Sequence, residues 1–107
     1  MIARLVTYDG PPSPELEGVR MFEEHAIPWL RDASGFRGMV VLLDRANERT
    51  LAISFWTDEE AERQSEEARR RFGELVADRV GLSRDDGQVY EVVLGHGVDI
   101  DGLRPDA

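Results

Sequence analysis

The sequence predicts an α+β domain of the ferredoxin-like type, in which a four-stranded antiparallel sheet carries both helices on one face. Three observations lead to this prediction. The apolar periodicity follows the order strand, helix, strand, strand, helix, strand; the chain of 107 residues has the size of one domain; and two of the strands are apolar on consecutive positions. Two split βαβ units with right-handed crossovers place both helices on the same side of such a sheet.

The first strand and first helix are marked by composition and by capping residues. Residues 2–8 are rich in β-branched and aromatic side chains and are followed by a glycine and proline turn, which predicts a strand. Ser13 predicts a helix N-cap and Pro14 the first helical position, and the helix ends before Gly35. Pro28 cannot donate a backbone hydrogen bond, so we expect the helix to bend or loosen before it.

A hairpin and a second helix follow. Residues 36–43 and 51–56 flank a polar segment and predict two antiparallel strands. Thr57 and Glu60 form a capping-box pattern that predicts the start of the second helix, which runs to about Val80.

The C-terminal part predicts one more strand and a tail. Residues 82–88 are expected to form a loop and residues 89–94 the fourth strand. We therefore predict a folded domain over residues 1–94 and a polar, acidic tail over residues 95–107.

Two predicted strands lack the alternation of a sheet with one wet face. Residues 39–43 are apolar five times in succession and residues 92–94 three times. Such runs indicate strands covered on both sides, and the helices cover only one side. We therefore predict a homodimer in which two sheets pack face to face.

Composition excludes several classes of function. The chain has no cysteine, so disulfides, thiolate metal sites and cysteine nucleophiles are excluded, and no histidine spacing predicts a metal site. The formal net charge is −9, which makes nucleic acid and anionic membranes poor partners, and the cluster of arginines at 69–71 is interpreted as a solvated helix face. The N-terminus does not resemble a signal peptide, so we expect a cytoplasmic protein.

Two segments carry a family resemblance. The segments Gly35-Phe36-Arg37-Gly38-Met39 and Phe55-Trp56-Thr57-Asp58-Glu59-Glu60-Ala61, in this element order, resemble the antibiotic biosynthesis monooxygenase family of dimeric α/β barrels. The resemblance covers about residues 1–94. It implies two sheets that close into a barrel across a twofold axis, with a pocket in each subunit between the helices and the sheet.

The same resemblance implies two branches of chemistry. Some members are cofactor-independent monooxygenases of polycyclic aromatic substrates, whereas others degrade haem. The haem-degrading branch has an asparagine late in the first strand, and a tryptophan and a haem-binding histidine on the second helix. Thr7 and Ser65 occupy the first two of these positions here, and no histidine lies between His25 and His96. The sequence therefore favours the branch without a cofactor.

Candidate site residues follow from the needs of that chemistry. A cofactor-free oxygenase must deprotonate a phenol or enol, and His25 and Tyr8 are the candidate proton acceptors. Each also has a purely structural interpretation, His25 as a surface residue at the edge of the helix and Tyr8 as a buried ring with a wet hydroxyl. The candidate pocket residues are Thr7, Trp29, Trp56, Ser65 and Phe72.

Two functions from different classes remain open at this point. One is a cofactor-independent monooxygenase that acts on a hydrophobic aromatic or quinol-like small molecule. The alternative is a non-catalytic dimer that binds a small molecule or assembles with a partner, in which the same aromatic residues only form the core. A pocket with convergent polar groups favours the enzyme, and a filled interior favours the binding module.

Overall fold

Four strands form one antiparallel sheet: β1 (Ile2–Asp9), β2 (Phe36–Asp44), β3 (Arg49–Trp56) and β4 (Ser83–Glu91). The computed structural model describes residues 1–97, and the strand order is β2-β3-β1-β4. This is the predicted ferredoxin-like α+β fold. Of the predicted tail, residues 98–107 lie outside the described part of the chain.

The first helix, α1, consists of three consecutive turns: an α-helical turn Glu17–Met21, a π-helical turn Phe22–Ala26 and an α-helical turn Ile27–Arg31. It begins later than predicted, because Leu16 adopts a left-handed conformation (φ 52°) and Ser13 Oγ instead accepts from the Glu17 N–H at 2.9 Å. The predicted loosening before Pro28 is confirmed, since the Ile27 N–H reaches back five residues to the Phe22 carbonyl.

The second helix, α2, spans Glu59–Val80. Its N-cap is Asp58, whose carboxylate accepts from the Ala61 N–H at 2.8 Å, so the capping box predicted at Thr57 is wrong by one residue. The Thr57 N–H bonds instead to the Gly35 carbonyl at 2.9 Å, which ties the start of α2 to the end of α1.

The predicted position of the fourth strand is wrong. The strand is Ser83–Glu91, so most of the predicted loop lies in the sheet, and residues 92–94 follow the strand. β4 is a polar edge strand, and its pairing with β1 contains a bulge between Leu5 and Thr7. Gly87 has φ 66° opposite this bulge, where a Cβ would lie 1.8 Å from the Leu5 carbonyl oxygen.

The core lies between the two helices and one face of the sheet. Alternate strand residues point toward the helices, and Trp56, Leu30 and Val76 are the largest fully buried side chains. The buried core forms two clusters, one around Trp56 and Leu30 and one around Val6 and Tyr8, and Phe22 and Met39 pack against both. Within residues 1–97, this arrangement leaves the other face of the sheet uncovered.

The uncovered face is largely apolar, and we call it the open sheet face. Strand alternation and register place on it Ala3, Leu5, Val40, Leu42, Leu51, Ile53, Phe55 and Tyr90. Leu42 is 49% exposed and Tyr90 is 48% exposed. Within residues 1–97, no helix is long and apolar enough to cross a membrane.

Candidate active site

A cleft opens between the helices and the helix-facing side of the sheet, and we call it the aromatic cavity. Its atom-free volume is about 420 Å³, including the part open to solvent, and the space that the centre of a water molecule can reach inside it is about 40 Å³. Most of its wall is aromatic or aliphatic, and four polar side chains reach it. It is lined by Val6, Tyr8, Phe22, Ala26, Trp29, Leu30, Met39, Ala52, Ser54, Arg69, Phe72 and Arg84.

Tyr8 is the buried phenol of this cavity. It is 3% exposed, and its ring packs edge-on against Phe22 with 6.1 Å between the ring centroids. Burial raises the pKa of Tyr8, although the guanidinium of Arg84 acts in the opposite direction. Tyr8 is therefore a protonated phenol at neutral pH and acts as a hydrogen-bond donor more readily than as a base.

Arg84 lies beside Tyr8 because the two residues are partners in the β1–β4 ladder. Its side chain is 9% exposed, and one terminal nitrogen donates to Asp86. The Arg84 Nε atom is buried and has no hydrogen-bond partner among residues 1–97. A buried donor without an acceptor is costly, so this guanidinium edge is available to an oxygen atom bound next to it.

Gly73 of α2 packs directly over this pair. A Cβ at this position would lie 2.4 Å from the Arg84 Nε and 2.8 Å from the Tyr8 hydroxyl oxygen. Any side chain at residue 73 would therefore displace one of the two groups. The glycine allows the helix backbone to close this side of the cavity while both polar groups keep their positions.

A second arginine reaches the cavity from α2. Arg69 Nη2 donates to Glu62 Oε1 at 2.7 Å, and its Nε donates to Ser65 Oγ at 3.0 Å. Its guanidinium carbon lies 5.0 Å from the Trp56 ring centroid, a cation–π contact. Arg4 Nε donates to the same Glu62 carboxylate at 2.8 Å, so two arginines share one buried glutamate, and the Glu66 carboxylate lies 3.8 Å from Arg4 Nη2.

The Glu62 carboxylate is ionised despite its burial. Burial by itself raises the pKa of Glu62, but the hydrogen bonds and charges of Arg4 and Arg69 outweigh it and hold the pKa below its usual value. The carboxylate therefore fixes the direction of the Arg69 side chain.

Two of the predicted pocket residues form an aromatic wall. Phe72 packs edge-on against Phe22 with 5.2 Å between the ring centroids, and Trp29 of α1 lines the same cavity. Large rings of this kind offer flat contact area for an aromatic ligand.

Three other predicted pocket residues do not line the cavity. Thr7 points to the open sheet face, because its neighbours Val6 and Tyr8 point toward the helices. Trp56 is fully buried beneath the cavity, and its Nε1 donates to Ser54 Oγ at 2.9 Å. Ser65 lies behind Arg69 and bonds to it, so it positions the arginine.

His25 and Tyr8 line different cavities in the structure. The His25 imidazole is 65% exposed and lies 4.0 Å from the Glu24 carboxylate. It borders a surface groove together with Leu75 and Arg79, in which the centre of a water molecule can reach about 390 Å³, and it is absent from the lining of the aromatic cavity. The structure therefore does not bring the two candidate proton acceptors together.

No protein-family profile and no curated protein matches the sequence. Solved structures do match: a variant of SnoaB, a cofactor-independent oxygenase from Streptomyces nogalater, has 17% identity and a TM-score of 0.66, over 91% of this chain and 97% of that one.

Two further solved structures have a similar fold. The monooxygenase from the gene ActVA-Orf6 of Streptomyces coelicolor, in complex with nanaomycin D, has 16% identity and a TM-score of 0.58, over 89% of this chain and 92% of that one. A candidate antibiotic biosynthesis monooxygenase from Deinococcus radiodurans has 17% identity and a TM-score of 0.60, over 94% of this chain and 98% of that one. The chain has the antibiotic biosynthesis monooxygenase fold. At this level of identity the likeness establishes the fold alone.

Within this monooxygenase fold, the two arginines of the cavity were not predicted from the sequence. Arg69 was interpreted as part of a solvated helix face, and its neighbours Arg70 and Arg71 do pair with exposed glutamates. Arg84 was assigned to a loop. The alternation of β4 could have indicated Arg84, because every second residue of this polar strand faces the helices.

A second cleft in the monooxygenase fold lies at the other end of α1, and we call it the distal cavity. Its atom-free volume is about 530 Å³, including the part open to solvent. Tyr8, Phe22 and Ala52 line both cavities, so they form the wall between them. The rest of its lining consists of Pro11, Pro12, Ser13, Leu16, Gly18, Val19, Val41, Leu43, Thr50, Val76, Val80 and Leu82.

Among residues 1–97, no group of three or more histidine, aspartate and glutamate side chains is arranged to hold a metal ion. The polar groups of the aromatic cavity are instead a phenol, a hydroxyl and two guanidinium groups. All four groups can donate hydrogen bonds to an oxygen atom.

Proposed function

We propose that this protein is a cofactor-independent monooxygenase that oxygenates a phenolic or enolic aromatic molecule in the aromatic cavity. The observation that carries the proposal is the juxtaposition of Tyr8 and Arg84 inside a cavity with aromatic walls. The fold supports it, because SnoaB is a cofactor-independent oxygenase and the ActVA-Orf6 monooxygenase was solved with nanaomycin D. We expect the protein to act in the cytoplasm.

The two arginines supply the charge that this chemistry needs. A phenol or enol reduces oxygen only after it has lost its proton, and a nearby guanidinium favours the anion. Among residues 1–97, the buried Arg84 Nε beside the Tyr8 hydroxyl has no acceptor, and Arg69, which is paired with Glu62, brings a second guanidinium to the same wall. We therefore assign Arg84 to binding of the substrate oxyanion and Tyr8 to a hydrogen bond with the same oxygen.

The proton of the substrate leaves without a side-chain base at the site. Among the described residues, no carboxylate or imidazole lines the aromatic cavity. Tyr8 has a raised pKa and stays protonated. Arginines that lower the pKa of the bound phenol allow the proton to pass to water at the open side of the cavity.

The proposed reaction balances without an added reductant. The substrate anion transfers an electron to oxygen, the two radicals combine, and a C–O bond forms to give a hydroperoxide at a carbon that carries hydrogen. Loss of water from the hydroperoxide breaks the O–O bond and that C–H bond and leaves a carbonyl. In sum, a CH₂ group and O₂ give a C=O group and H₂O, and the substrate supplies all the electrons.

We further propose that the protein is a homodimer joined through the open sheet face. That face is apolar, and Leu42 and Tyr90 are about half exposed in the single chain. Isolated soluble domains seldom expose a continuous apolar surface of this kind. A second copy with the same face would cover it symmetrically.

The test is oxygen incorporation with anthrone as the probe substrate. Purified protein treated with a chelator is incubated with anthrone under ¹⁸O₂, and the enzyme-free rate is subtracted. We expect anthraquinone with one ¹⁸O atom and a matching amount of labelled water. Arg84→Gln should lower the rate at least about tenfold, whereas Arg71→Gln, at an exposed position of α2, should not change it.

Two results would contradict the monooxygenase. Anthrone that binds without oxygen uptake would favour the non-catalytic binding dimer, which shares the cavity but performs no reaction. Equal rates for Arg84→Gln and the unmodified protein would remove the guanidinium from the mechanism.

A further inference from the structure

We propose that the distal cavity binds an uncharged aliphatic chain, and that this chain belongs to the same molecule whose aromatic head occupies the aromatic cavity. The assignment of the aromatic head to the aromatic cavity rests on the proposed function. The tail site depends on the lining and position of the distal cavity, which are independent observations.

The first observation is continuity. Three residues, Tyr8, Phe22 and Ala52, line both cavities, so a single layer of side chains separates them. A molecule held at Tyr8 that is longer than the aromatic cavity can extend past Phe22. The distal cavity is the space on the other side of that ring.

The second observation is the chemistry of the lining. Within residues 1–97, no charged side chain lines the distal cavity, and most of its residues are aliphatic. Ser13 is one of its few polar groups, and its hydroxyl already accepts from the Glu17 N–H at 2.9 Å. A polar or charged tail would lose its hydration there without compensation, whereas an alkyl chain would gain from burial.

The third observation concerns the backbone around the cavity. Phe22 is the first residue of the π-helical turn, a local irregularity that is frequent at functional sites. Leu16, which lines the distal cavity, holds a left-handed conformation (φ 52°) that is unfavourable for a leucine. Both departures from regular helix therefore lie at the wall of one cavity.

These observations assign Phe22 a role in specificity. Its ring contacts both Tyr8 and Phe72, and it lines both cavities. A smaller side chain at residue 22 would widen the passage. We therefore expect Phe22 to set how long a chain the protein accepts.

Binding of 5-alkylresorcinols with methyl, pentyl and nonyl chains tests the proposal, with calorimetry as the measurement. We expect the affinity to rise at least about tenfold from methyl to pentyl in the unmodified protein. Val41→Phe fills the distal cavity from β2 and should abolish this rise while leaving the affinity for methylresorcinol unchanged. Phe22→Leu should strengthen binding of the nonyl compound.

Controls separate the tail site from general hydrophobic binding. Leu75→Phe adds the same kind of ring at an exposed position of α2, where Leu75 is 58% exposed, and should leave the chain-length dependence intact. Val80→Phe fills the distal cavity from α2 and replaces Val41→Phe if that variant does not fold. A chain-length dependence that persists in the filled variants would overturn the proposal.

The test also distinguishes failure of the head site. If the unmodified protein bound none of the resorcinols, the proposed function would be wrong about the phenolic group that the aromatic cavity binds. Binding of 1-octanol would then decide on the distal cavity alone: octanol that binds the unmodified protein but not Val41→Phe supports it, and octanol that does not bind overturns it.

Discussion

Tyr8 and Arg84 are cross-strand partners on β1 and β4, and both side chains lie on the helix-facing side of the sheet. The partnership places a buried phenol beside a buried guanidinium whose Nε lacks an acceptor among residues 1–97. The pair is therefore the chemical centre of the proposed site.

The first prediction concerns the pKa of a bound phenol. 2-Naphthol bound in the aromatic cavity should have its pKa lowered by roughly 1 to 2 units, because Arg84 and Arg69 favour the naphtholate. Arg84→Gln should abolish most of this decrease in the naphthol pKa. Absorbance titration of the bound naphthol measures both values. An unchanged pKa in Arg84→Gln would show that the guanidinium does not face the ligand.

The second prediction concerns Gly73, where a substitution should disturb the site without lowering the stability of α2. Gly73→Ala would ordinarily stabilise a helix interior by up to about 1 kcal/mol. Here the new methyl group would lie 2.4 Å from the Arg84 Nε, so the flexible arginine should move away. We expect a melting temperature close to that of the unmodified protein and loss of the naphthol pKa shift.

Gln64→Ala is the matched control for Gly73→Ala, because it changes helix propensity at an exposed position of α2. It should keep the naphthol pKa shift. A Gly73→Ala variant that also keeps the shift would mean that Arg84 does not depend on the close packing of the helix.

The fold could be predicted because its signals are local, whereas the site depends on register. The capping residues, Pro28 and the apolar periodicity each act within a few residues of the chain. β4 was misplaced because Ser83–Glu91 is polar and exposed, while the apolar residues Val93 and Leu94 are 86% and 83% exposed. An edge strand is held by main-chain pairing with β1, which periodicity does not report.

The misplaced strand explains why the Tyr8–Arg84 pair was not predicted. Their register depends on the bulge between Leu5 and Thr7 and on the positive φ of Gly87 opposite it. Arg69 was missed for a different reason. Its neighbours in the arginine run point to solvent, whereas contacts with Glu62, Ser65 and Trp56 turn this one arginine inward.

The third prediction concerns acid stability. Arg4 and Arg69 hold the pKa of Glu62 below its usual value, so the ion cluster stabilises the fold above the ordinary glutamate pKa of about 4.3. That contribution is lost as the pH falls through the lower pKa of the folded state. Glu62→Gln should cost on the order of 3 kcal/mol at pH 7 and should flatten the loss of stability at acid pH.

Urea unfolding at pH 7 and at pH 3.5 measures this difference. Glu67→Gln is the control, because the Glu67 side chain is 69% exposed and pairs only with Arg71. It should behave like the unmodified protein at both pH values. Equal pH dependence in Glu62→Gln and the unmodified protein would mean that the cluster does not carry the acid sensitivity.

The fourth prediction concerns the dimer. Leu42 is 49% exposed on the open sheet face, so Leu42→Glu should place a charge inside the proposed interface and give a monomer. Leu75→Glu introduces the same charge at a position that is 58% exposed on α2 and should leave the dimer intact. Native mass spectrometry measures the subunit number. A monomeric unmodified protein at micromolar concentration would refute the interface.

The fifth prediction concerns His25, the other candidate proton acceptor. Its imidazole is 65% exposed and does not line the aromatic cavity, so His25→Ala should leave both the naphthol pKa shift and the rate of anthrone oxygenation unchanged. Tyr8→Phe removes only the buried hydroxyl and should weaken naphtholate binding, because one hydrogen bond to the anion is lost. Loss of oxygenation in His25→Ala, with naphthol binding intact, would instead indicate that the imidazole reaches the substrate in a rearranged or dimeric state.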